Sequence, residues 1–281
     1  MSNEFIPAIN RLRLHLSHNI SRFLQAHSFK GSTKLRNLMV SLLAPRPRGS
    51  TIIHTYYGFD IFVDPVADKG LEREIYYYGT YEAGTLYVMR RCLREGDTFI
   101  DVGANIGFIS LTTAKIVDKN GTVYAIEPHP HTYKILEKNI NLNSFKNVYS
   151  INTALGSKVS EARIYDNYNA RGKFSLIPPQ NVPEKSGMPV KVTTIDTLIE
   201  SSQIKLPYLI KIDVEGFELE VLKGAKVLLS SLQAPALCVD FSKLHPTYGG
   251  NVYATYNFIK STNDYFFFKL KYGKGRPSKL I

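Results

Sequence analysis

The chain has 281 residues, 44% of them hydrophobic and 21% charged, a balance that fits a globular protein with a full core and excludes a disordered or fibrous one. Its formal net charge of +11 is uneven, since the first 50 residues carry eight Lys or Arg against one acid, Glu4; this asymmetry suits contact with anionic membrane, acidic polysaccharide or nucleic acid, or a solvated arm, and says nothing of chemistry. Cys92 and Cys238 stand far apart with no CxxC pair, and no apolar run approaches the ~18 to 20 residues that cross a bilayer. A disulfide scaffold, a zinc site and an integral or signal-led protein are therefore set aside, and a reducing, cytoplasmic setting is expected, with peripheral membrane contact left open.

In chain order, Phe5, Ile9, Leu12, Leu16, Ile20 and Phe23 recur every three or four residues, with Arg11, Arg13 and Arg22 on the other faces. The spacing predicts a basic amphipathic helix. Packing of its apolar face against the main domain or another subunit is the preferred reading, and membrane-surface binding is the alternative. Pro45, Pro47 and Gly49 break the pattern, so residues 1–50 are read as a helical extension and 51–281 as the catalytic domain.

Residues 51–63 read as two short strands around Tyr57 and Gly58, and 73–93 as mostly helical, interrupted near Gly79 and Gly84. From Thr98, continuous apolar strands at 99–102, 123–126, 148–151, 209–214 and 237–241 alternate with helices at 108–117, 131–141, 217–230 and 253–260. Uninterrupted apolar strands are buried on both faces, as in a mostly parallel sheet covered by helices. The fold class is α/β, doubly wound. Between 156 and 189, Asn, Asp, Gly and Pro crowd together, which reads as a long functional or disordered loop.

The run DVGANIG at 101–107 falls at a strand-to-helix turn, where an α/β sheet binds its ligand. Glycine there permits φ > 0 and close backbone approach. One residue separates Asn105 from Gly107, whereas the dinucleotide fingerprint G-x-G-x-x-G has two, so a pyrophosphate turn is disfavoured. Asn105, in the middle position, is the non-glycine type that best tolerates left-handed backbone. Glu127 ends the next strand 20 residues after Gly107 and is followed by Pro128; an acid there can accept hydrogen bonds from both hydroxyls of a ribose. Asp101 adds an acid where a cationic amino-acid moiety would lie, or orients the turn through backbone N–H groups.

Together FIDVGANIG at 99–107, AIEPHP at 125–130, ALG at 154–156, TIDTL at 194–198 and IKIDVEGFE at 210–218, with YGTYE at 78–82 ahead of them, resemble the FkbM family of S-adenosylmethionine-dependent methyltransferases over about 73–229. The resemblance implies a Rossmann-like class I domain with a seven-stranded sheet. It implies that the cofactor's methionine end lies over Asp101, Gly103 and Gly107, its ribose on Glu127, and Ala154 and Leu155 beside the adenine. Tyr81 and Glu82 would close over the methionine end. The family often has Glu after its fifth strand, where this chain has Asp240.

Strand alternation points Asp213 and Glu215 to one side at the end of the fourth strand, placed to handle a substrate hydroxyl. An alcohol is a poor nucleophile at neutral pH and needs a base to take its proton. Asp213 is the first choice and Glu215 the second, with His129 and His245 as substitutes and helix capping as a further role for Glu215. Asp213, Glu215 and Asp240 would also suit Mg²⁺, though nothing in the spacing demands a metal. The family implies an O-methyltransferase acting on a hydroxyl of a carbohydrate or carbohydrate-containing natural product; Tyr165, Tyr168, Arg171 and Phe174 are candidate acceptor contacts or packing groups. The alternatives are a nucleic-acid methyltransferase, disfavoured because no Asp/Asn-Pro-Pro-Tyr/Phe signature occurs, and a non-catalytic S-adenosylmethionine-binding protein.

Overall fold

The computed structural model describes residues 7–27, 29–166, 174–176, 186–241, 252–271 and 280. Two helices, α1 (Ala8–Ala26) and α2 (Ser32–Leu43), form an N-terminal hairpin. An antiparallel pair follows, β1 (Thr51–His54) and β2 (Asp60–Val63). Next come α3 (Leu71–Tyr78) and α4 (Ala83–Cys92), parted by Gly79 at φ +69°.

The alternating region runs β3 (Thr98–Val102), α5 (Phe108–Val117), β4 (Thr122–Ile126), α6 (Pro130–Leu142) and β5 (Val148–Ile151). After an accessory segment of β6 (Ala154–Leu155), β7 (Ser160–Asp166), β8 (Phe174–Ser175) and β9 (Met188–Thr193), it resumes with α7 (Ile195–Glu200), β10 (Leu209–Ile212), α8 (Glu218–Lys223), α9 (Lys226–Leu229), β11 (Ala236–Val239) and α10 (Val252–Thr262).

The main sheet has the order β11-β10-β3-β4-β5, every pair parallel. Its residues alternate between two cores. Phe99, Val123, Ala125 and Leu209 join one cluster with α4, α5 and α6, while Ile100, Tyr124, Ile126 and Ile210 join another with α7 to α10. Helices thus cover both faces, as continuous apolar strands require. The seven strands implied by the resemblance number five in this sheet among the described residues.

Three further expectations change. The irregular stretch contains an accessory sheet, order β6-β9-β7-β8, with β7 antiparallel to both β8 and β9. The helix expected over 217–230 divides at Gly224, where the Gly156 carbonyl oxygen would lie 2.0 Å from an added Cβ. The Asp196 carboxylate accepts the N–H groups of Val227 and Leu228 at 2.9 and 3.0 Å, starting α9 afresh.

The apolar stripe of α1 does not pack inward. Ile9, Leu12, Leu16 and Phe23 are exposed, and the buried face is Leu14, Ser17, His18, Ser21 and Leu24. Small and hydrogen-bonding side chains let α1 approach α3 closely: the Ser17 hydroxyl donates to the Tyr77 carbonyl at 3.2 Å, and His18 Nε2 lies 2.8 Å from the Tyr76 carbonyl.

Candidate active site

The chain lays β3, β4 and β5 to one side and then returns to place β10 beside β3. That reversal is the switch point at which parallel sheets open a crevice beyond their carboxyl ends. One cleft opens there, and the turns after β3, β4 and β10 wall it with Gly103, Asn105, Glu127, Pro128, Asp213 and Glu215. Tyr81 and Glu82 reach it from the α3–α4 link, Ala154 and Leu155 from β6, and Ile164 and Leu176 from the accessory sheet region.

The turn after β3 closes upon itself. Gly103 and Ala104 donate their N–H groups to the Ile126 carbonyl, and Gly107 donates to Ala104. Asn105 donates to Glu127 Oε2 at 2.9 Å, and Ile106 donates to the Asn105 side-chain oxygen at 2.8 Å. Each N–H of the turn thus has an acceptor inside the protein, and no donor nest faces a phosphate. Gly103 stands at φ +77° with the Asp213 carbonyl oxygen where a Cβ would come within 2.1 Å, so only glycine lets the two turns meet. Asn105 is left-handed at φ +52°. Gly107 caps α5 against Leu136 and does not line the cleft.

Glu127 is buried, and its other oxygen accepts the His129 N–H at 2.9 Å. Burial raises its pKa to about 7, against the lowering effect of the His129 and Asn105 hydrogen bonds. Asp101 lies beneath the cleft, fully buried, and does not line it. The Lys211 ammonium lies 3.0 Å from one of its oxygens, and the Ser110 hydroxyl donates to the other at 2.6 Å. Lys211 itself lines the cleft and was missed in the sequence. Burial alone would lower its pKa, but the charges of Asp101, Asp213 and Glu82 reverse this and hold it above the ordinary lysine value. The available signal was a Lys inside an apolar strand, because a buried ammonium requires a partner, and β-pairing sets Lys211 opposite Asp101.

The turn after β10 has a different character. β10 ends at Ile212, two residues earlier than expected, so strand alternation does not orient Asp213 and Glu215. Both acids still line the cleft, Asp213 half-buried and Glu215 exposed with its backbone left-handed at φ +51°. Glu215 does not cap the following helix. That helix has no side-chain cap, and its first residue, Glu218, instead braces the turn by accepting the N–H groups of Val214 and Gly216 at 3.3 and 3.1 Å. Glu82, buried in the lining, is also left-handed, at φ 44°, and accepts the Thr85 hydroxyl at 2.9 Å. Asp68, a second residue missed in the sequence, joins the lining from the loop before α3.

Several candidates do not reach the cleft. His129 is buried at the start of α6, where Nδ1 accepts the Thr132 N–H. Tyr165 is buried with its ring against Gly187 and does not line the cleft. Asp240 does not line the cleft, and Asp213, Glu215 and Asp240 do not form a metal centre: among the described residues no group of three or more His, Cys, Asp or Glu is placed to hold an ion. Tyr168, Arg171 and His245 lie outside the described residues, as does the Phe174 side chain.

Among the described lining residues, the carboxylates Asp68, Glu82, Glu127, Asp213 and Glu215 face one cation, Lys211. A protein of net charge +11 has concentrated acid at its cleft.

The chain is similar to a hexuronic acid methyltransferase of Haloferax volcanii, with 33% identity over 145 residues covering 49% of this chain and 54% of that protein. It is also similar to "Methyltransferase 1" of Beauveria bassiana, with 26% identity over 187 residues covering 59% of this chain and 72% of that one. "Methyltransferase sdnD" of Sordaria araneosa is 29% identical over 155 residues, covering 44% and 59%. The match thus spans about half the length of the Haloferax relative. A model of the methyltransferase FkbM domain matches residues 101–267, from the buried acid of β3 through all three cleft-building turns, and the chain belongs to that family.

Proposed function

We propose that the protein is an S-adenosylmethionine-dependent O-methyltransferase acting on a hydroxyl of a carbohydrate or carbohydrate-containing natural product. The observation that carries the cofactor reading is the acid-walled cleft at the sheet switch, beside a glycine turn whose N–H groups are all engaged within the protein. A dinucleotide would bring anionic phosphates to that wall, where the N–H groups of the glycine turn already have acceptors within the protein. A sulfonium cofactor carries net positive charge, which five carboxylates favour.

In this arrangement Glu127 accepts the ribose hydroxyls, and Pro128, Ala154 and Leu155 line the adenine side. Gly103 and Asn105 give close backbone approach, while Glu82 and Tyr81 close the methionine end. When bound, the cofactor supplies an electrophilic methyl group on sulfur. Asp213 takes the proton from the acceptor hydroxyl, with Glu215 at the mouth as second base. Lys211 and Asp101 hold the floor, each neutralising the other beneath the reacting groups. The carbohydrate acceptor is supported by the family and by the hexuronic acid methyltransferase among its relatives.

Calorimetry with S-adenosylmethionine and with NAD tests the cofactor: saturable binding of the first and none of the second is expected, and binding of NAD alone overturns the reading. Transfer of labelled methyl to fractionated glycans, lipid and nucleic acid tests the acceptor. Label in an alkali-stable ether on sugar is expected, and label confined to nucleic acid refutes it.

A further inference from the structure

The N-terminal hairpin turns its apolar residues outward on both helices. Side chains about nine, or about two, positions apart on an α-helix lie roughly half a turn from each other, at about 100° per residue. On α1, His18 meets the Tyr76 carbonyl, and the Arg22 guanidinium lies 5.3 Å from the Tyr56 ring centroid. These mark the side facing the main domain. Ile9 and Leu16 lie across the helix from His18, and Ile9, Leu16 and Phe23 are 64%, 47% and 61% exposed. On α2, Val40 is buried, and Leu38 and Leu42, two residues to either side, are 55% and 65% exposed.

Both stripes therefore face away from the domain, along a hairpin held down by its other side. The Arg36 guanidinium packs 4.7 Å from the Tyr78 ring centroid on α3, and Arg13 Nε ties α1 to α2 by donating to the Leu43 carbonyl at 2.9 Å. No acid occurs between residues 5 and 59, while Arg11, Lys30, Lys34, Arg46 and Arg48 are among the eight cations there, and Arg11, Lys30 and Lys34 are exposed.

We infer that this hairpin docks the protein on an anionic lipid surface, its leucine and phenylalanine side chains entering the headgroup–acyl boundary and its Lys and Arg pairing with anionic headgroups. An exposed apolar stripe on a hairpin that carries cations and no acid is the pattern of helices that lie in the membrane plane. A second copy of the chain is the poorer occupant, because two hairpins face to face would oppose cations with cations and no acid between them. Among the described residues no helix is long and apolar enough to cross the bilayer, so attachment is at the surface.

The test uses the full chain, sedimented with vesicles of phosphatidylcholine alone and of phosphatidylcholine mixed with phosphatidylglycerol. Binding to the anionic vesicles is expected, weakening with added salt. Leu12→Ser/Leu16→Ser/Leu38→Ser, at exposed positions that leave the core intact, should weaken it on the order of a hundredfold with an unchanged melting temperature. Lys30→Gln/Lys34→Gln should weaken it about 25-fold, at roughly fivefold per cation. Failure of the full chain to sediment with anionic vesicles overturns the inference. So does equal sedimentation of the triple-serine variant, or light scattering that shows a dimer which that variant dissolves.

Discussion

Two of the turns that wall the cleft differ in how they use their backbone. The turn over 103–107 satisfies every N–H inside the protein and offers shape, a glycine surface pressed against the Asp213 carbonyl. The turn after β10 keeps its backbone in place by borrowing a carboxylate from Glu218, and so leaves Asp213 and Glu215 facing the cleft. In the proposed reaction one turn holds and the other supplies chemistry, and a rigid holder is what positions a reacting group.

The largest expected effect tests whether the shared floor is structural. Lys211→Met leaves Asp101 fully buried without its ion partner, and loss of one member of such a pair costs about 4 kcal/mol; chemical denaturation should show the midpoint fall. Gly103→Ala strikes the holding turn, adding a Cβ at φ +77° against a carbonyl oxygen, and should cost about 3 kcal/mol together with cofactor binding. Asp213→Asn strikes the other turn. It should lower kcat at least about a hundredfold with little change in cofactor Kd by calorimetry; an equal loss of cofactor affinity would assign Asp213 to holding instead.

The smallest effect is a pH dependence from Glu127. Its folded pKa, about 7, lies above the ordinary carboxylate value because burial disfavours the charge. A raised pKa means that its contribution to stability is present below the unfolded value near 4.5 and is lost as pH rises through about 7. Ribose hydroxyls donate best to the ionised form. Cofactor affinity should thus rise by up to about tenfold from below pH ~6 to above pH ~8, and Glu127→Gln should bind more weakly with a flat profile.

Much of this was legible in the sequence. Continuous apolar runs located all five strands of the main sheet, and glycine spacing separated this turn from a dinucleotide turn, because both signals are local. The partnership of Lys211 and Asp101 depends on which strands become neighbours, a distance of 110 residues in sequence. The end of β10 at Ile212 was hidden by Val214, whose apolar character extends the pattern after the strand has stopped. Periodicity found α1, but its apolar stripe does not pack on the main domain, one of its expected partners. Close packing on α3 suits Ser17, His18 and Ser21, and a rule that sends leucine inward assumes that the helix has only one surface to meet.

The acidic wall also discriminates between two charge states of one bound molecule. In the proposed reaction the donor enters as a sulfonium and leaves as a neutral thioether, having lost one positive charge while its sugar and base remain the same. Carboxylates at Asp68, Glu82, Glu127, Asp213 and Glu215 attract the incoming form more strongly than the spent one. The lining that gathers the donor therefore also helps to clear it, and makes exchange of spent for fresh donor favourable where the two are equally abundant.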